Sequence, residues 1–306
     1  APSLTMLNEG QIWYNTTGAA LKYTAGIGAW SSGGNINEGR YGAGGAGTQT
    51  SAICAGGFPP QHNNTETYDG TSWTEVANLN TARAYLGSAG VSSTSALIFG
   101  GYLPAITAVT ETWNGTSWTE VGDLNAARKA GQGGTGIVTA AICFGGEDPG
   151  GITDKTEIWN GTSWTEVNDL TTARKELCTG IGTSTSALSV GGSEPAITGK
   201  TEKYDGTSWS ETNDLNQVRR LGGGFGTQTS GLVAGGEEPA ASNNTETFDG
   251  TSWTPVADMG TARGFLASGL ASPQSTGLIF TGYPPADVTA TEEWNVLDTV
   301  KTVTVS

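Results

Sequence analysis

The chain has 306 residues, 48 of them glycine, and 29 acidic against 14 basic side chains give a formal charge of −15. So acidic a chain repels phosphate backbones and anionic lipid, which argues against nucleic acid or a membrane surface as partner. No apolar run approaches the ~18 residues of a membrane span, and the opening APSLTMLNEGQ has neither the basic nor the apolar region of a signal peptide; without an initiating Met it reads as processed or truncated.

Length alone suggests about two domains, but a repeat overrides that prior. In chain order, QIWYN, ALKYT and AWSS (residues 11–32) come first, and Trp30 lies in the last of them. Then one sentence is written five times: TETYDGTSWTEVANLNTAR from Thr65, TETWNGTSWTEVGDLNAAR from Thr110, TEIWNGTSWTEVNDLTTAR from Thr156, TEKYDGTSWSETNDLNQVR from Thr201 and TETFDGTSWTPVADMGTAR from Thr245. Four markers each occur six times in fixed order. They are an arginine (Arg40, Arg83, Arg128, Arg174, Arg219, Arg263), an apolar run ending in Gly-Gly or Thr281-Gly282, an aromatic after an acid (Tyr68, Trp113, Trp159, Tyr204, Phe248, Trp294), and a tryptophan (Trp30, Trp73, Trp118, Trp164, Trp209, Trp253). From Trp73 to Trp253 the spacing is 45, 46, 45 and 44 residues.

That period suits a four-stranded propeller blade or a helix pair, and the Thr, Ser, Gly and Val content argues against helices. Each unit reads as four strands: one after the arginine, one running into the glycine pair, one carrying the first aromatic, one carrying the tryptophan. Asn-Gly or Asp-Gly between the last two predicts a tight hairpin with both turn residues at positive φ. The glycine pair is expected to let the backbone turn sharply or an aromatic cross it closely. Apolar runs such as ALIF need no alternation, because stacked blades cover a strand on both faces.

A hydrophobic run, two glycines, an aromatic and a later Trp resemble the kelch repeat, over roughly residues 30–295. The resemblance implies an all-β propeller. GQIWYNTTGAALKYTAG ahead of units such as TARxxLxGxGTQT is also similar to bacteriophage virion and tail-fibre proteins. The marker count predicts six blades, closed by lending the Trp30 strand to the last unit as its outer strand, which removes exposed edges. A seven-bladed alternative makes QIWYN, ALKYT and AWSS part of an extra blade completed by KTVTVS. The expected divisions are 1–29 (a hairpin-bearing, attachment-type segment), 30–295 (propeller) and 296–306 (terminal strand or tail).

Each third strand also repeats a glutamate: Glu66, Glu111, Glu157, Glu202, Glu246 and Glu292. Glu111 and Trp113 are two apart, so they share a face, and a carboxylate beside a packing aromatic needs a donor. Pairing with the six arginines, in bidentate fashion, is expected. The competing reading is a ring of arginines that binds an anion at the channel mouth.

Chemistry is sparse. His62 is the single histidine, set in the polar loop QHNN, so multi-histidine metal sites and the copper site of kelch-like oxidases have no ligands. Phosphate-loop and calcium-loop patterns are missing, and no cofactor is expected. Cys54, Cys143 and Cys178 read as buried apolar residues without a disulfide framework. TYDGTSWT resembles the Asp-box of sialidases, but Asp69 and Gly70 are adjacent where that pattern separates them, and Asn114 and Asn160 replace Asp in two copies.

Segments after the glycine pairs vary most, and loops on a rigid scaffold are where binding resides. Phe58, Tyr102 and Tyr283 open three of them and belong to neighbouring blades; Glu147, Asp148, Glu194, Glu237 and Glu238 belong to the other three. An aromatic sector suits sugar stacking or a protein hot spot, and an acidic one suits a cationic partner or a shared divalent ion. The expected function is a non-enzymatic module of a phage virion or appendage, extracellular, recognising a host glycan or protein or docking on another virion protein. A cytoplasmic kelch-type adaptor is the alternative, and a sialidase-like glycosidase the remote one.

Overall fold

The computed structural model describes residues 12–15, 20–60, 62–129, 133–283 and 288–302. It is all-β, with no helix among the described residues. Six antiparallel blades form the ring; the first runs outward through Gly44–Thr48, Ser51–Gly57, His62–Tyr68 and Trp73–Val76. The next four repeat that order one unit at a time. The sixth takes Ala267–Ser268, Thr276–Phe280 and Thr291–Thr302 from the C-terminal end of the chain. Its outer strand is Ala20–Ser32, with Trp30 opposite Trp294. The ring therefore closes as six blades, by zipping the front of the chain into the last sheet. ALKYT and AWSS are one continuous strand, and Ile12–Asn15 pairs on its outer edge as a fifth strand of the same sheet. The tail residues 303–306 lie outside the described residues.

Two circuits of hydrogen bonds run round the ring and explain the repeated words. First, each outer-strand indole donates to a threonine on the third strand of the preceding blade: Trp118 to Thr65, Trp164 to Thr110, Trp209 to Thr156 and Trp253 to Thr201, all at 3.1 Å. Trp30 to Thr245 and Trp73 to Thr291, at 3.0 Å, complete the circle across the closure. Second, the second glycine of each pair donates its N–H to the carbonyl of the arginine opening the next blade, as Gly101 does to Arg128 at 2.8 Å and Gly282 to Arg40 at 3.0 Å. Gly100 and Gly101 have φ of 62° and 111°, and a Cβ on Gly100 would lie 2.6 Å from the Arg128 oxygen. The pair is thus required by a backbone turn against the neighbouring blade's carbonyl, not by a crossing aromatic. The arginine–glutamate pairs, by contrast, lie within single blades.

The core is six wedges, one per interface. The wedge between blades one and two holds Ile53, Leu79, Leu86, Ile98, Trp113 and Trp118, and the aromatic after the acid stacks near its own blade's tryptophan, with ring centroids 5.4 Å apart for Trp113 and Trp118. Burying one such ring contributes about 1.5–3 kcal/mol.

The hairpin between third and fourth strands differs from expectation. Tyr68 pairs directly with Trp73, so the loop has four residues, and within it only Gly70 has positive φ. Asp69 stays at negative φ because its carboxylate caps the loop, accepting from the Thr71 and Ser72 N–H groups at 2.8 and 2.9 Å. Asn114 and Asn160 do the same with their amide oxygens, which is why Asn and Asp interchange here.

Candidate functional site

The six arginines do not face a ligand. All are at most 1% exposed. Arg83 Nη2 donates to Glu111 Oε1 at 2.9 Å, Arg174 to Glu202 at 2.8 Å, Arg219 to Glu246 at 2.6 Å, and Arg40 lies 3.1 Å from Glu66. Arg128–Glu157 and Arg263–Glu292 complete the set. The pairing is not bidentate, because the second carboxylate oxygen serves the strand connection: Glu111 Oε2 accepts from the Asn80 N–H and Nδ2, both at 2.8 Å. Asn37, Asn125 and Asn216 repeat this in three other blades. The anion-ring reading fails on burial, since each guanidinium is buried beside a carboxylate of its own blade.

The residues just after each arginine build the mouth of the channel. The next residue bridges to the first residue after the glycine pair of the same blade: Tyr41 with Phe58, Ala84 with Tyr102, Lys129 with Glu147, Lys175 with Ser193, Arg220 with Glu237 and Gly264 with Tyr283. This places the variable loops and the connections between blades on one face, as expected. The second residue after the arginine is left-handed: Gly42 (φ 63°), Tyr85 (58°), Glu176 (55°), Leu221 (59°) and Phe265 (56°); the equivalent residue of blade three lies outside the described residues.

Tyr85, Glu176, Leu221 and Phe265 line a cavity of about 380 Å³ together with Phe58, Tyr102, Lys129, Glu147 and Lys175. One wall is aromatic, made of Phe58, Tyr85, Tyr102 and Phe265; Tyr41, outside the lining, has its ring 5.4 Å from Phe58, 5.1 Å from Phe265 and 5.2 Å from Tyr283. Phe58 and Tyr102 reach the cavity itself; Tyr283 packs on Tyr41 away from it and is 39% exposed. Burial pushes the Tyr85 phenol up, against a hydrogen bond with Tyr41 that pulls it down, so it stays protonated.

The opposite wall is not an acidic sector. Glu147 accepts from Lys175 Nζ at 3.0 Å and has Lys129 Nζ at 3.7 Å. The hydrogen bond from Lys175 holds its carboxyl below the usual range, despite partial burial. Arg220 joins Glu176 at 2.5 Å and Glu237 at 3.0 Å, and Lys200 lies 3.2 Å from Glu194. Asp148 caps the Gly150 N–H at 2.7 Å, and Glu238 is half-buried in the short strand Glu237–Glu238. The cations come from the positions just after the arginines, which the loop-by-loop reading did not weigh. Among the described residues no three His, Cys, Asp or Glu side chains gather as a metal site, so the shared-ion reading has no donor set there.

Beneath the cavity Ala43, Gly45, Ser88, Gly134, Thr179 and Ala267 surround a separate space of only about 10 Å³, because glycine-rich inner strands approach closely and Ser88 Oγ donates across to the Gly45 carbonyl at 2.8 Å. Further along the inner strands an opening of about 230 Å³ is lined by Val91, Ile137, Leu270 and glycine, alanine and threonine residues. His62 is 17% exposed, with Nε2 2.9 Å from the Pro59 carbonyl and Nδ1 3.6 Å from Glu38. Cys54, Cys143 and Cys178 are free and buried, and burial pushes the Cys143 thiol up to about 12 and Cys178 to about 11.

No known family model matches the chain, and no curated protein sequence matches it. Among solved structures it is similar to that of YjhT, with a TM-score of 0.68 and 12% sequence identity over 89% of this chain and all of that one. A likeness at that identity shows the propeller fold and nothing of the ligand.

Proposed function

We propose that this propeller is a non-enzymatic, kelch-type binding module of a virion appendage, which seats a host-surface glycan in the cavity at the channel mouth. The carrying observation is the cavity itself: an aromatic wall faces a wall of side chains already ion-paired with one another. Aromatic rings offer an apolar face for a sugar to stack on, and the fixed carboxylates and ammonium groups offer acceptors and donors for its hydroxyls.

The polarity of the fold supports an appendage. Ser32 leads into the connection that carries Arg40 and Tyr41 at the mouth, so the other end of Ala20–Ser32 and its hairpin with Ile12–Asn15 project from the opposite pole. A mount there would point the cavity outward. The pairing of Glu147 and Glu176 with cations supports the non-enzymatic reading, because glycoside hydrolysis needs a carboxyl held protonated beside an ionised one. The test is a glycan array read with the native chain and with Phe58→Ala and Tyr102→Ala, beside fluorogenic glycosides. Binding that weakens in both variants, without turnover, is expected; no bound glycan, or turnover, would overturn the proposal.

A further inference from the structure

We infer that the cavity takes the uncharged terminal sugar of a glycan chain, inserted end-on. The inference rests on the glycan reading above and adds which part of the chain is read and what charge it carries.

The end-on geometry follows from the floor. Beneath the cavity of about 380 Å³ the inner strands leave a separate space of only about 10 Å³, too little for a sugar chain to thread. It lies at the small end of ligand pockets, so it admits roughly one or two sugar rings. A polymer must enter by its tip, with the rest of the chain leaving through the mouth.

The charge follows from the ion pairs of the wall residues Lys129, Lys175, Glu147 and Glu176, the last paired with Arg220 outside the lining. Lys129, Lys175 and Arg220 stand against Glu147, Glu176 and Glu237, and every one has a partner of opposite sign within 4 Å. An acidic sugar would compete with Glu147 for its lysines and approach a chain of net charge −15. A cationic sugar meets a different obstacle. Lys129 Nζ lies 4.9 Å from the Tyr102 ring centroid and 5.9 Å from that of Tyr85, so the protein's own ammonium fills the position where an aromatic wall would attract a cation. The remaining candidate is a neutral ring with hydroxyls at its edge and an apolar face.

The backbone supplies an independent argument that these side chains serve a ligand. Left-handed φ is cheapest for glycine, and Gly42 stands there in the first blade. Tyr85, Glu176, Leu221 and Phe265 hold the same conformation with large side chains. Folding alone would favour glycine at each, so bulk directed into the cavity is retained at a local conformational cost.

Tyr85→Gly and Phe265→Gly therefore remove wall without straining the chain. The experiment is an array of oligosaccharides whose terminal residue is neutral, a uronic acid or an amino sugar, each also present with that residue capped by one further sugar, followed by titration calorimetry on the bound members. The expected result is that bound glycans share a neutral terminal residue. A carboxylate, an amine or a cap on it weakens binding ten-fold or more, and so does each glycine variant, with its melting temperature not lowered. Binding indifferent to the cap, or stronger to charged termini, overturns this inference while leaving the glycan reading standing. Unchanged affinity in both glycine variants overturns it by moving the ligand elsewhere. An array with no bound member overturns the glycan reading itself.

Discussion

Neutralising Glu111 should unsettle the whole ring. Its carboxylate is fully buried and takes the Arg83 Nη2 on one oxygen at 2.9 Å and the Asn80 N–H and Nδ2 on the other, both at 2.8 Å. In Glu111→Gln the amide nitrogen must face one set of these donors, and the guanidinium of Arg83, itself fully buried, keeps its charge without a counter-ion. Breaking a buried pair by removing one partner costs roughly 3–5 kcal/mol. For 306 residues unfolding as one unit, the unfolding entropy is roughly 0.64 kcal/mol/K. The melting temperature should therefore fall by about 5–8 °C. Circular dichroism melts of native, Glu111→Gln, Arg83→Met and double-variant chains would measure the loss and the coupling, expected above about 1 kcal/mol. A Glu111→Gln chain melting within a degree of native would refute the claim that these pairs brace the blades.

Thr281 occupies the first glycine position in the sixth blade, at φ 64°, and its buried hydroxyl has no hydrogen-bond partner among the described residues. Thr281→Gly should raise stability by about 1 kcal/mol, read as a higher denaturant midpoint; a lower midpoint would mean that its methyl group matters more than its strain. The caps made by Asp69, Asp205 and Asp249 hold those carboxyls below the usual carboxylate range, chiefly through backbone N–H donors. A carboxyl depressed in the folded state contributes stability that is intact above the unfolded pKa and lost as pH falls through the folded one. Replacing all three by Asn, as nature has at Asn114 and Asn160, should leave stability at pH 7 unaltered and move acid unfolding to lower pH; an unmoved acid midpoint would exclude the caps as its source.

The architecture was legible because its signals are local and repeated. Six tryptophans, with Trp30 stranded ahead of the first full unit and Trp294 lacking a successor, imply the closure by count alone. The glutamate–arginine pairs followed from Glu111 and Trp113 sharing a face. The asparagine on the other carboxylate oxygen was missed, although Asn80, Asn125 and Asn216 each stand three residues before their arginine; that recurrence was the available signal. The cavity lining was half legible. Phe58 and Tyr102, singled out from loop variability, line it, but Tyr85, Leu221 and Phe265 were not singled out, because they follow an invariant arginine and look like part of the scaffold. The variation that follows the arginine, in RAY, RKE, RRL and RGF, was the clue. The acids were misjudged because Lys129 faces Glu147 only through a bridge between segments 18 residues apart, which no local pattern reveals.

The circuit of glycine N–H to arginine carbonyl, sealed by Gly282 and Arg40, has a thermodynamic corollary. An open solenoid melts inward from its terminal repeats, each released unit breaking one interface. Here no unit is terminal, so freeing any blade tears two interfaces at once. Fraying has nowhere to begin, and a lesion in one blade should be felt as a lowered midpoint of a single sharp transition, not as an early partial one.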